Sequence, residues 1–138
     1  MESIMAGIST KSLYGVVSTH YIYKHQSQGA VKIALIAQAL ELPQNYLEQI
    51  LLILKKSGIL QSIRGANGGY LLKKDPQDIS VLEIIEILDG TIFEMPQGQR
   101  KCELLDFWSN MQERVQQLFD IPITKLDAYK DELINYAI

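Results

Sequence analysis

One continuous stretch, NYLEQILLILKKSGILQSIRGANGGYLL (Asn45–Leu72), narrows the possible folds more than any other part of this chain. Leu47, Ile50, Leu51 and Leu54 repeat at helical spacing, so its first half is predicted to be an amphipathic helix with one buried stripe. Lys55 and Lys56 suit the negative end of that helix, and Gly58 is placed to cap it. Immediately afterwards ILQSI reads as a strand, with Ile59 and Ile63 on one face, and GYLLKK as its return. Between the strands lie Arg64 and the glycines Gly65, Gly68 and Gly69, whose backbone reaches angles closed to other residues and permits close approach to a ligand. Few folds run a helix straight into a glycine-tipped hairpin.

Upstream, a first helix is predicted from about Thr10 to Lys24, with Leu13, Val16, Val17, His20 and Tyr21 on one face. Gln26–Ala30 is a turn. A short second helix covers Ile33–Leu40, its apolar side formed by Ile33, Ile36, Ala37 and Leu40. ELPQN interrupts it, and Pro43 is suited to be the first residue of the next helix. Two helices across a tight turn form a helix-turn-helix, whose second helix normally enters the major groove of DNA. Helical hairpins are common in cores, so that pair alone says little. Followed at once by a hairpin, it predicts a winged helix-turn-helix: a mainly α fold with a small two-stranded β wing.

Charge divides along the chain. The net charge is −3, yet residues 1–74 carry eight bases against three acids, and the remainder five against thirteen. A cationic front and a solvated acidic back suit a polyanionic partner. The single cysteine, Cys102, forms no internal disulfide, which points to a reducing cytoplasm. No apolar run approaches the roughly 18 residues that span a bilayer, and the amino terminus lacks a secretory pattern.

After Pro76 the pattern changes, and the chain is expected to divide into a winged helix-turn-helix DNA-binding domain at 1–90 and, at 91–138, a loop, a dimerisation helix and a C-terminal helix. SVLE (Ser80–Glu83) is a capping box opening a helix that ends at Asp89-Gly90. A polar loop, Thr91–Lys101, leads to a long helix from about Cys102 to Phe119. Its apolar positions Leu104, Trp108, Met111, Val115 and Leu118 form a heptad seam, short for a free coiled coil but right for a dimer contact. The alternative is packing against its own domain. Beyond Pro122, Thr124–Asp127 reads as another cap, and Leu126, Tyr129, Leu133 and Tyr136 line a final helix.

ISTKSLYG (Ile8–Gly15), IAQALELPQNYLEQIL (Ile36–Leu51), SGILQSIRGANGGYLL (Ser57–Leu72) and ISVLEIIEILDG (Ile79–Gly90) together resemble the Rrf2 family of bacterial transcription regulators over nearly the whole chain. The resemblance implies a homodimer with one winged helix per subunit, binding palindromic operators in double-stranded DNA. It implies that Asn45, Glu48 and Gln49 face base edges; Gln and Asn pair bidentately with adenine, and Glu accepts from cytosine N4. Arg64 corresponds to the wing arginine that enters a narrow minor groove, on a wing built from Gly65, Asn67, Gly68, Gly69 and Tyr70. Lys11, Lys32, Lys55 and Lys56 are implied phosphate contacts. Lys32 and Pro43 stand where many relatives have a serine cap, and Glu41 replaces the usual turn glycine.

Many members of that family hold an iron–sulfur cluster on three loop cysteines. Here only Cys102 remains, at the third position. Leu105, Leu13 and Val17 occupy the further ligand positions of other members, and His20 and His25 make a poor metal pair. No cluster and no metal site are therefore expected, as in the family's cysteine-metabolism repressor. That repressor forms a complex with O-acetylserine thiol-lyase, which captures tails ending in isoleucine; Ile138 would suit it. Cys102 would alternatively serve a thiol-based redox sensor, and a winged helix that binds only protein is a further alternative. An enzyme is not expected. Gly65–Gly69 lacks the Lys-Ser/Thr ending of a phosphate loop, and no motif places a nucleophile beside a histidine and an acid.

Overall fold

Gly15 allows the first helix, α1 (Thr10–His25), to lie against a later one, α4 (Val81–Asp89). A side chain there would collide with Leu88 and press on Ile84. The computed structural model describes residues 7–92 and 103–129. The buried side of α1 is Ser12, Gly15, Val16, Ser18, Thr19 and Ile22; of the expected face of Leu13, Val16, Val17, His20 and Tyr21, Val16 is buried, Val17, His20 and Tyr21 are half-buried and Leu13 faces out. Leu13 is 54% exposed. Small residues admit the branched side chains of α4; Thr19 donates one turn back to the Gly15 carbonyl at 2.7 Å and Ser18 to that of Tyr14, while the Ser12 hydroxyl crosses to Asp89 at the end of α4. Apolar spacing misses a face made of small and polar residues.

The helix-turn-helix comprises α2 (Ile33–Leu40) and α3 (Gln44–Lys56). Pro43 precedes α3 as its N-cap, one residue earlier than its expected place as first helical residue. Glu41 closes α2 in the left-handed region, φ 55° and ψ 44°. Its N–H reaches the Gln38 carbonyl and the Leu42 N–H that of Ala37, the paired bonds of a Schellman end. α3 ends in the same way. Gly58, at φ 85°, donates to Lys55, and Ile59 donates to Leu54 at 3.0 Å. Leu54 and Ile59 are both fully buried, so the helix stop is also the launch point of the wing.

The wing pairs β1 (Leu60–Ile63) antiparallel with β2 (Gly69–Leu72), Leu60 opposite Leu72 and Ile63 opposite Gly69. Only its base meets the core: Leu60 and Leu72 are buried, whereas Ile63 is 47% exposed. Ile59 and Ile63 therefore do not share one environment as expected, because the hairpin projects beyond the body that covers Ile59. Val31 supports the base by exchanging two bonds with Tyr70, at 2.8 and 2.9 Å. Gln26 Oε1 accepts the Leu72 N–H at 2.9 Å. Gly69 lies so close to the Val31 carbonyl that no Cβ fits, so this glycine serves an approach within the chain.

Ser80 Oγ accepts the Glu83 N–H at 3.0 Å and opens α4 as expected. The Glu83 carboxylate pairs with Lys74 Nζ at 2.9 Å. The long helix α5 (Glu103–Phe119) buries none of its residues; Leu104, Phe107 and Leu118 are 75%, 57% and 73% exposed. Past it the chain returns to the core. Ile123 is fully buried and donates to the Ile79 carbonyl, while Val81 donates to that of Ile121. The expected cap at Thr124–Asp127 is not formed. Asp127 instead reaches α1, where Lys24 Nζ donates to it at 3.0 Å and His20 Nε2 approaches to 3.3 Å. The chain is helical over 126–129, and Leu133 and Tyr136 lie outside the described residues. Among the described residues no helix is long and apolar enough to cross a membrane.

Candidate nucleic-acid interface

The core side of α3 is Leu47, Ile50, Leu51 and Leu54, as the spacing predicts, and this turns Asn45, Glu48 and Gln49 outward; all three are exposed. Gln44 Nε2 lies 3.4 Å from Glu48 Oε1, one helical turn away. Tyr14 meets Tyr46 edge-on, with ring centroids 6.0 Å apart, joining the start of α3 to α1. Lys55 and Lys56 are exposed in the last turn of α3. Lys32 is exposed at the entrance to α2.

Arg64 is exposed where the wing turns. The turn is closed by the Gly68 N–H donating to the Gly65 carbonyl at 3.0 Å, with Gly65 at φ 112°. At Gly68 a side chain would run into the carbonyl of Ile63, so a tight tip needs glycine there. Asn67 is exposed beside it. Tyr70, half-buried on the wing, feels the charge of Glu48 on α3: its hydroxyl is held above the usual tyrosine range by burial first and by Glu48 second.

Lys11 has a different setting from the other lysines. It is half-buried on the first turn of α1, near Asp89. Asp89 accepts from Ser9 N at 2.7 Å, Ser9 Oγ at 2.6 Å and Ser12 Oγ. Burial opposes its ionisation, but the bonds from Ser12 and Ser9, with Lys11 nearby, outweigh it and hold the carboxyl below the usual range. No local pattern announces this cap, because Asp89 and Ser9 are 80 residues apart. The Val31 and Gln26 props of the wing were equally invisible to periodicity. Leu52, 45% exposed one turn beyond Gln49, is equally silent in the sequence, since an exposed apolar residue carries no motif.

Cys102 and Ile138 lie outside the described residues. Among the described residues no three His, Cys, Asp or Glu side chains gather as a metal site. His25 Nδ1 pairs with the Tyr21 carbonyl at 2.8 Å, and His20 is turned toward Asp127.

Residues 8–123 match the family model Rrf2, described as an iron-dependent transcriptional regulator. The HTH-type transcriptional regulator CymR of Bacillus subtilis is 32% identical over 127 residues, covering 90% of this chain and 91% of its own. The HTH-type transcriptional regulator IscR of Serratia proteamaculans is 30% identical over 135 residues, covering 92% and 82%. The solved structure of CymR, the global cysteine regulator of B. subtilis, superposes with a TM-score of 0.81 at 30% identity, over 91% of this chain and 98% of that one. The winged-helix expectation agrees with that likeness.

Proposed function

The chain belongs to the Rrf2 family of transcriptional regulators and is a DNA-binding regulator, and from that premise we propose that two copies bind a palindromic operator and repress transcription there. In this reading α3 enters the major groove. Asn45 and Gln49 pair with adenine edges and Glu48 accepts from cytosine N4. Arg64 enters the adjacent minor groove, where a narrow A/T tract concentrates negative potential. Lys32, Lys55 and Lys56 hold phosphates and set the register, with Lys11 at the margin. The observation that carries the reading is the outward display of these polar and cationic side chains on α3 and at the wing tip, opposite a core-bound apolar face.

The two copies pair through α5, along Leu104, Trp108, Met111, Val115 and Leu118. Support comes from the length of this helix and from its lack of any buried residue. A two-fold axis then sets the two α3 helices about 34 Å apart, one turn of DNA.

An iron–sulfur cluster does not fit the donors of this chain. Cys102 is its single cysteine, so two copies bring two thiolates where a cluster takes about four ligands. We therefore read the regulator as cluster-free.

Titration of duplex DNA selected from a genomic pool, at two salt concentrations, tests the reading. Neutralising about six to eight phosphates per dimer should cost roughly 10³- to 10⁴-fold in affinity between about 50 and 200 mM salt. Affinity indifferent to salt would refute it.

A further inference from the structure

Leu52 is 45% exposed on the face of α3 that carries Asn45, Glu48 and Gln49, opposite the buried stripe of Leu47, Ile50, Leu51 and Leu54. It follows Asn45 by two turns, about 20° out of line and about 10.5 Å further along the helix. That rise matches about three base-pair steps of a duplex. Lys56, exposed one turn later on the same face, suits the phosphate beyond. A branched apolar side chain thus stands between groups that read base edges and a cation that holds the backbone.

In the major groove the donors and acceptors of base edges lose water when apolar groups cover them, and leucine offers no bond in return. The one apolar feature presented there is the C5-methyl of thymine. Building on the DNA-binding reading above, we infer that Leu52 is a specificity-determining residue that packs on a thymine methyl in each half-site. Opposite cytosine the same leucine meets a bare C5 and an N4 amine that it cannot satisfy. Leu52 therefore selects against cytosine as well as for thymine.

The probe is the duplex that the wild-type protein selects from a randomised pool, with each thymine of the half-site replaced in turn by deoxyuridine. The replacement removes one methyl and alters no polar group, and it needs no altered protein. At one position per half-site it should weaken wild-type binding about fourfold, the value of one buried methyl group. Leu52→Ala should bind the thymine and deoxyuridine duplexes equally; Leu52→Asn, polar and of similar length, should show the same indifference to the methyl and serves if the alanine variant binds too weakly to titrate. Wild-type affinity unchanged at every position, or a Leu52→Ala protein that still prefers thymine, overturns the assignment and leaves DNA binding standing. Failure to recover any duplex overturns the regulator reading, and this inference falls with it.

Discussion

Asp89, the last residue of α4, accepts at 2.7 Å the backbone N–H of Ser9, the N-cap of α1, 80 residues earlier in the chain. Its second oxygen serves the Ser9 hydroxyl, and Ser12 donates to the same carboxylate. A negative charge is thus held at the positive end of α1, where it satisfies the N–H of the N-cap residue Ser9. Asp89→Ala is expected to lower stability by about 1–2 kcal/mol in urea titrations. The folded pKa of Asp89 is depressed, so its stabilisation is complete above the ordinary aspartate pKa of about 3.9 and disappears as pH falls through the lower folded value. The gap between wild type and Asp89→Ala should therefore be wide at neutral pH and close at acid pH.

Glu41 carries a left-handed backbone that costs a non-glycine residue about 1–2 kcal/mol. Glycine at this turn should relieve that cost, less the extra freedom it gives the unfolded chain. Glu41→Gly is expected to stabilise the fold by about 0.5–1 kcal/mol in thermal unfolding. A destabilised variant would mean that the Glu41 side chain supplies something the geometry does not contain.

Much of this architecture can be read from residue order, and the reason is local. The buried stripe of α3, its stop at Gly58 and the turn of the wing depend on neighbours a few positions apart. The α1–α4 contact depends on Gly15 meeting Leu88, and small residues leave no hydrophobic period. Asp127 resembled a local cap partner, yet its carboxylate is drawn to Lys24 and His20 on α1. At the interface the outward display of Asn45, Glu48 and Gln49 follows from the helix period alone. The support of the wing by Val31 and Gln26 needs the third dimension.

Trp108 is 44% exposed midway along the apolar seam of α5. If two copies pair through that seam, Trp108→Glu places a charge in the desolvated centre of the contact, where it finds no partner. Light scattering should then give the monomer mass with the helical circular-dichroism signal retained. A dimer that persists would put the contact on another surface.

Arg64 offers the most direct test of the whole account. Its side chain is exposed at a turn whose glycines leave no room for larger residues at Gly68, and no charged partner holds it among the described residues. Fluorescence anisotropy should compare wild type and Arg64→Ala on the selected operator at fixed salt, with dimer mass checked in parallel. Arg64→Ala is expected to lose about tenfold or more in affinity, consistent with about 1–3 kcal/mol for a specific arginine contact in each of two half-sites. Equal affinity of the two proteins, with both dimers intact, would contradict it.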